Sequence, residues 1–211
     1  MNVELDKIIA EYKIIAILRG VTCKHAEKTV EALLKGGIKA LEITLTTEDA
    51  LDAIKLVCNS FGSDAIIGAG TVLTTEETER VCEAGGRFIV SPNTDVNVIQ
   101  TAKSLGLSTF PGALTPTEIV TAVQAGSDYV KLFPAGNMGL GYFKALRGPL
   151  PDVPFIVTGG IDMNNLGDFL KAGAYGAGLG GSLVDVKRIE NGDFEYITNA
   201  VKGYVDIVKG L

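Results

Sequence analysis

The chain has 211 residues, 46% hydrophobic and 21% charged, enough to bury one sizeable core. Its formal net charge is -6 and no Lys/Arg cluster offers a footprint for a phosphate backbone, which argues against a nucleic-acid role but leaves room for a small anionic ligand. No apolar run reaches the ~18 residues of a membrane span, Cys23, Cys58 and Cys82 form no CxxC, and the start Met1-Asn2-Val3-Glu4-Leu5-Asp6 is acidic, so a cytoplasmic protein with reduced thiols is expected.

A first helix is expected over Val3–Tyr12, followed by a strand over Ile14–Leu18 that ends in Arg19-Gly20. The second strand is Ala40–Leu45. Next comes a helical stripe over Thr47–Val57, with Ala50, Leu51, Ile54 and Val57 on one face and Glu48, Asp49, Asp52 and Lys55 on the other. Ala65–Ile67 reads as the third strand, running into Gly68-Ala69-Gly70-Thr71, and Phe88–Val90 as the fourth, running into Ser91-Pro92-Asn93. Leu107–Phe110 is the fifth and Tyr129–Phe133 the sixth. Thr74-Thr75-Glu76-Glu77 and Thr115-Pro116-Thr117-Glu118 open helices with acidic caps. Pro134–Pro154 is the longest irregular stretch and is expected to hold a loop and a short helix. Phe155–Val157 and Ala177–Leu179 are the last strands, followed by Thr158-Gly159-Gly160 and Gly180-Gly181-Ser182.

These strands recur roughly every 19–26 residues with helices between them. Eight such units fit a (β/α)₈ TIM barrel with an extra N-terminal helix, one domain over residues 1–211 with tight loops. A doubly wound open sheet is the competitor, but it usually has about five or six strands.

Barrel chemistry sits at the C-terminal ends of the strands. Lys131 lies inside the apolar run Tyr129-Val130-Lys131-Leu132-Phe133-Pro134. Burial favours its neutral amine, a nucleophile toward carbonyl carbon. A snorkelling lysine, or one held by a buried carboxylate, is the structural alternative. Period-two alternation puts Glu42 and Thr44 on one face of the second strand and Leu41, Ile43 and Leu45 on the other. In a barrel, Glu42 and Lys131 then project into one space, as an imine-forming lyase needs. A buried Glu42–Lys131 or Glu42–Arg19 ion pair of purely structural value is the competing reading.

The final loops, with Gly159, Gly160, Gly180, Gly181 and Ser182, suit a phosphate cradle of backbone N–H groups, to which Ser182 adds a hydroxyl. Gly176-Ala177-Gly178-Leu179-Gly180-Gly181 formally matches GxGxxG, but no second βαβ half can follow it, so a dinucleotide site is rejected. A single histidine, His25, and the absence of HxxxH or CxxC spacing give a metal site little support. Cys23 lies two residues from His25 in a strand-to-helix turn; a catalytic Cys–His pair is disfavoured there, and His25 reads as a surface or capping residue. No cofactor is expected.

Ile15-Ala16-Ile17-Leu18-Arg19-Gly20, Leu41-Glu42-Ile43-Thr44-Leu45, Gly68-Ala69-Gly70-Thr71-Val72, Phe88-Ile89-Val90-Ser91-Pro92, Phe110-Pro111-Gly112, Val130-Lys131-Leu132-Phe133-Pro134-Ala135 and the two glycine-rich loops together resemble the 2-dehydro-3-deoxyphosphogluconate and 4-hydroxy-2-oxoglutarate aldolases. The related phosphogalactonate aldolases share most of the pattern. The resemblance implies a class I, metal-independent, pyruvate-dependent aldolase, usually a homotrimer. Lys131 matches the Schiff-base lysine and Glu42 the carboxylate that shuttles protons through a water. Thr71, Pro92 and Phe133 match the pyruvyl pocket, and Arg19 is placed to meet anionic substrate groups. Thr158, Gly159, Gly160, Gly180, Gly181 and Ser182 match the phosphate end. Some members carry Arg four residues after the catalytic Glu; this chain has Thr46 there, which leaves the sugar-acid epimer open.

The implied reaction cleaves 2-dehydro-3-deoxy-6-phosphogluconate to pyruvate and glyceraldehyde 3-phosphate, with 4-hydroxy-2-oxoglutarate as a further substrate. The alternatives are a phosphogalactonate-specific aldolase, a metal-using phosphate-barrel epimerase or synthase, and a non-catalytic sugar-phosphate-binding barrel.

Overall fold

The structure, a computed structural model, describes residues 3–211; the first two residues of the acidic start lie outside the described residues. Helix α1 (Val3–Tyr12) leads into strand β1 (Ile14–Leu18), and βα units follow in order: α2 (Cys23–Gly36), β2 (Ala40–Thr44), α3 (Ala50–Phe61), β3 (Ile66–Gly70), α4 (Thr75–Glu83), β4 (Phe88–Val90), α5 (Val96–Ser104). Then come β5 (Ser108–Phe110), β6 (Gly112–Ala113), α6 (Pro116–Gln124), β7 (Val130–Leu132), α7 (Ala135–Arg147), β8 (Phe155–Thr158), α8 (Leu166–Lys171), β9 (Gly176–Leu179), α9 (Val186–Glu190) and α10 (Phe194–Lys209). Among the described residues no helix is long and apolar enough to cross a membrane.

All strand pairs are parallel, in the order β5-β4-β3-β2-β1-β9-β8-β7-β6. β5 and β6 are two halves of one stave, interrupted at Pro111, which has no N–H to give a ladder. The first half pairs with β4 and the second with β7. Across the seam the Tyr129 N–H donates to the Thr109 carbonyl (3.1 Å) and the Lys131 N–H to the Pro111 carbonyl (2.9 Å). The eight expected staves are therefore present, and they close on themselves.

The chain alternates faces along each stave. Ile14, Ala16, Leu18, Leu41, Ile43, Val130, Leu132, Phe155 and Val157 face outward into the core shared with the helices. Ile15, Ala40, Ile66, Phe88, Phe110, Tyr129 and Ile156 face inward and fill the lower end of the barrel. Phe88 meets Phe110 edge-on at 5.4 Å, and Phe110 stacks on Tyr129 at 4.4 Å. Leu5 and Ile9 of α1 bury fully against this column. Asp6 accepts hydrogen bonds from the hydroxyls of Tyr129 (2.8 Å) and Tyr175 (2.7 Å). Burial and then the Asp6 contact push both phenols up, Tyr175 to about 12. The N-terminal helix is thus a plug, tied to the barrel floor by one carboxylate.

The two acidic starts fold as capping boxes, Thr74 with Glu77 and Thr115 with Glu118, the second with Pro116 in the first turn. Three expectations shift. The third strand runs to Gly70, because a glycine between two other staves needs no side-chain volume. The stripe over Thr47–Val57 becomes helical only from Ala50, since Thr47 and Asp49 are engaged by the preceding loop. Most of Pro134–Pro154 is helix, Ala135–Arg147, which accommodates its glycines by a break at Gly139 (φ 83).

Replacing Asp6 by Ala strands the hydroxyls of Tyr129 and Tyr175. Urea unfolding should show a loss of about 1–3 kcal/mol. An unchanged midpoint would mean that these two hydrogen bonds do not hold the plug.

Candidate active site

Above the aromatic floor the inward positions become small or polar: Glu42 and Thr44 on β2, Gly68 and Gly70 on β3, Lys131 on β7, Thr158 on β8 and Gly178 on β9. Lys131 has Val130 and Leu132 as outward neighbours, so its own side chain must point along the axis. It is 7% exposed, with its amine 5.1 Å from the Phe133 ring centroid. Burial pulls its pKa below the ordinary 10.5; the nearby Glu42 charge opposes this and Arg19 adds to it. Glu42 is 2% exposed, and burial lifts its carboxyl above the ordinary 4.5 against the pull of Lys131 and Arg19. Both groups move toward their neutral forms.

The two feel each other's charge, yet among the described residues no ion pair or hydrogen bond joins them. Glu42 lies across Gly70, where any Cβ would overlap its carboxylate and sit 2.6 Å from its Cδ. Thr71, next along, holds φ at +60°, a conformation that a β-branched residue adopts at a cost of about 1–3 kcal/mol.

A cavity of about 400 Å³ opens at this end, lined by Ile17, Arg19, Thr71, Pro92, Lys131, Phe133, Thr158, Gly159, Gly160, Ile161, Asp162, Gly178, Gly180, Gly181 and Ser182. Every sequence-derived candidate except Glu42 is in that lining; Glu42 sits just beneath it, covered. A larger groove of about 510 Å³ between α2 and α10 is lined by Lys28, Glu31, Lys35, Phe194 and Lys202 among others, and lies on the outer helices, away from the strand ends. Size alone does not locate the chemistry.

Gly159 (φ 83) and Gly160 (φ 71) make the turn after β8, where Gly136 packs so closely on the Gly160 carbonyl that no side chain fits. Among the described residues the N–H groups of Gly160, Gly181 and Ser182 form no hydrogen bond within the protein, so they are open to an anion. The Ser182 hydroxyl is not: it donates to the Ile161 carbonyl at 2.9 Å and braces one loop on the other. The expected hydroxyl donor is thus engaged within the protein. Ile17, Ile161, Asp162 and Gly178 were not singled out from the sequence. Alternation on the first strand could have found Ile17, and the run after Gly160 could have found Asp162. Cys23 and His25 open α2 outside this lining. Among the described residues no group of three or more His, Cys, Asp or Glu could hold a metal ion.

Residues 5–200 match the family model "Aldolase: KDPG and KHG aldolase". A probable 2-dehydro-3-deoxy-6-phosphogalactonate aldolase of Rhizobium meliloti is 41% identical over 82% of each chain. A 2-dehydro-3-deoxy-phosphogluconate aldolase of Pseudoalteromonas atlantica is 33% identical over 100% of this chain and 98% of its own. The crystal structure of KDPG aldolase from Legionella pneumophila, with pyruvate captured as a covalent carbinolamine intermediate, superposes with a TM-score of 0.88. It is 31% identical and the match covers 94% of this chain and 97% of that one.

The Glu42–Lys131 pair should weigh against stability. The Lys131 contribution is full above 10.5 and lost as pH falls through its depressed folded pKa. That of Glu42 is full below 4.5 and lost as pH rises through its raised one. At neutral pH both sit on their unfavourable side. The double variant Glu42→Gln/Lys131→Met should therefore melt higher than the parent at pH 7, by up to about 1–4 kcal/mol of added stability. A lower melting point would make the pair a structural ion pair.

Proposed function

This chain belongs to the KDPG and KHG aldolase family, and on that premise we propose that it cleaves 2-dehydro-3-deoxy-6-phosphogluconate to pyruvate and glyceraldehyde 3-phosphate through an imine on Lys131. The observation that carries the reading is a lone lysine amine, driven toward its neutral form by burial, at the floor of a cleft whose rim is open backbone N–H groups.

The neutral Lys131 amine attacks the C2 carbonyl carbon and gives a carbinolamine. Loss of water leaves a protonated imine, which can accept an electron pair. Glu42, working through a water, takes the proton of the C4 hydroxyl. The C3–C4 electrons move into the imine as an enamine forms, and the aldehyde departs. The enamine takes a proton at C3, and water hydrolyses the resulting imine to pyruvate and free Lys131. Thr71, Pro92 and Phe133 line the pyruvyl end, and Arg19 meets the substrate's negative charge. Thr158 and the N–H groups of Gly159, Gly160, Gly180, Gly181 and Ser182 receive the phosphate. No cofactor takes part. 4-Hydroxy-2-oxoglutarate fits the same pyruvyl end with a shorter tail.

A second reading is the phosphogalactonate epimer, which the 41% identity to the Rhizobium meliloti protein favours. By family resemblance the enzyme is a cytoplasmic homotrimer.

Pyruvate release from the two epimers, measured side by side, tests the assignment. A higher kcat/KM for the gluconate epimer is expected; the reverse order moves the assignment to the galactonate one. Lys131→Ala should abolish release while leaving a folded protein, and Glu42→Gln should lower kcat by ~10²–10⁴-fold. Retained turnover in Lys131→Ala would end the imine mechanism.

A further inference from the structure

Arg19 follows β1 at the edge of the cleft, exposed and on a long flexible stem. Nothing on its own strand fixes the guanidinium. Its Nη1 donates to the Thr46 hydroxyl at 3.3 Å, and among the described residues this is the one side-chain hydrogen bond Arg19 makes. Among the described residues no carboxylate forms an ion pair with it. The Thr46 hydroxyl in turn donates to the hydroxyl of Thr44 at 3.1 Å. A hydroxyl has one proton, so the bond to Thr44 turns the lone pairs of Thr46 toward Arg19. Thr44 is fully buried on β2, two residues from Glu42 and on the same inward face. The neighbouring contacts repeat the pattern on the backbone. The Gly20 N–H donates to the Thr47 hydroxyl at 3.0 Å, and the Cys23 N–H to the Asp49 carboxylate at 2.8 Å. The loop after β2 therefore clamps the loop after β1 at three points, and only the Thr46 point grips a side chain that lines the cleft.

Resting on the aldolase reading above, we propose that Thr46 is a positioning residue: through the Thr44–Thr46–Arg19 chain of hydrogen bonds it holds the Arg19 guanidinium at the cleft edge, ready to meet the negative charge of the keto acid. A guanidinium has five N–H donors, so one bond to Thr46 leaves the rest of the fork for substrate. The geometry anchors substrate charge recognition to the same strand that carries Glu42. A change at position 46 should alter substrate capture before it alters the bond-breaking step. Uniform binding lost in this way raises KM and leaves kcat near its former value.

Thr46 is exposed, so Thr46→Val, close in shape and lacking only the hydroxyl, keeps the fold. With 2-dehydro-3-deoxy-6-phosphogluconate as substrate, KM should rise roughly 3- to 10-fold while kcat changes less than about 2-fold. Thr46→Ser, which restores the hydroxyl, should recover most of the loss. In an Arg19→Ala background Thr46→Val should add nothing further, because the group it positions is gone. Unchanged KM in Thr46→Val, failure of Ser to rescue, or an equal KM increase without Arg19 would each overturn the proposal. Borohydride trapping of pyruvate on the parent protein separates the two failures. An adduct on Lys131 with an inert Thr46 sinks the positioning role alone; no adduct sinks the aldolase mechanism beneath it.

Discussion

The structure turns on burying Lys131 and Glu42 together inside one barrel. An unperturbed lysine leaves only ~1 molecule in 2,500 with a neutral amine at pH 7. Each unit of pKa shift is about 1.36 kcal/mol of preference for one protonation state. Lys131 and Glu42 obtain their shifts chiefly from burial, in opposite directions and toward neutrality. An ion pair in direct contact would push both the other way and keep the amine protonated. Among the described residues no ion pair or hydrogen bond joins them, and that matters as much as their shared burial.

Burial of that kind needs a barrel asymmetric along its axis. The lower half is packed with Phe88, Phe110 and Tyr129 and sealed by α1, so water cannot reach the amine from below. The upper half is cleared by glycine: Gly70 makes room for Glu42, Gly178 for Thr158, and Gly112 for the Pro92 carbonyl. These glycines weaken the strands that carry them. Thr71 adds backbone strain at the same level. One end of the barrel is packed with aromatic rings, and the other is opened by glycines into a cavity.

The sequence made the staves readable because each carries its own signal. Short β-branched runs alternate with amphipathic helices, and β1 and β4 begin and end where that pattern places them. Lys131 and Glu42 were legible for the converse reason, a charged residue breaking an apolar run. Three things were not. Glycines in Pro134–Pro154 read as irregular, whereas a break at Gly139 lets the segment continue as helix. Ser182 was legible as a hydroxyl in a glycine-rich loop, but its bond to the Ile161 carbonyl depends on a loop brought alongside only by the closed sheet. The tie between Arg19 and Thr46 spans 27 residues and two loops. Periodicity assigns a residue to a face; it does not say which side chain meets it across the gap between staves.

The most direct measurement is peptide mapping by mass spectrometry after incubation with pyruvate and borohydride. Reduction fixes any imine as a stable secondary amine. The account predicts one pyruvyl adduct, on the peptide containing Lys131, and none on Lys131→Ala. A protein that binds pyruvate yet remains unlabelled, or carries the adduct on another lysine, would contradict it.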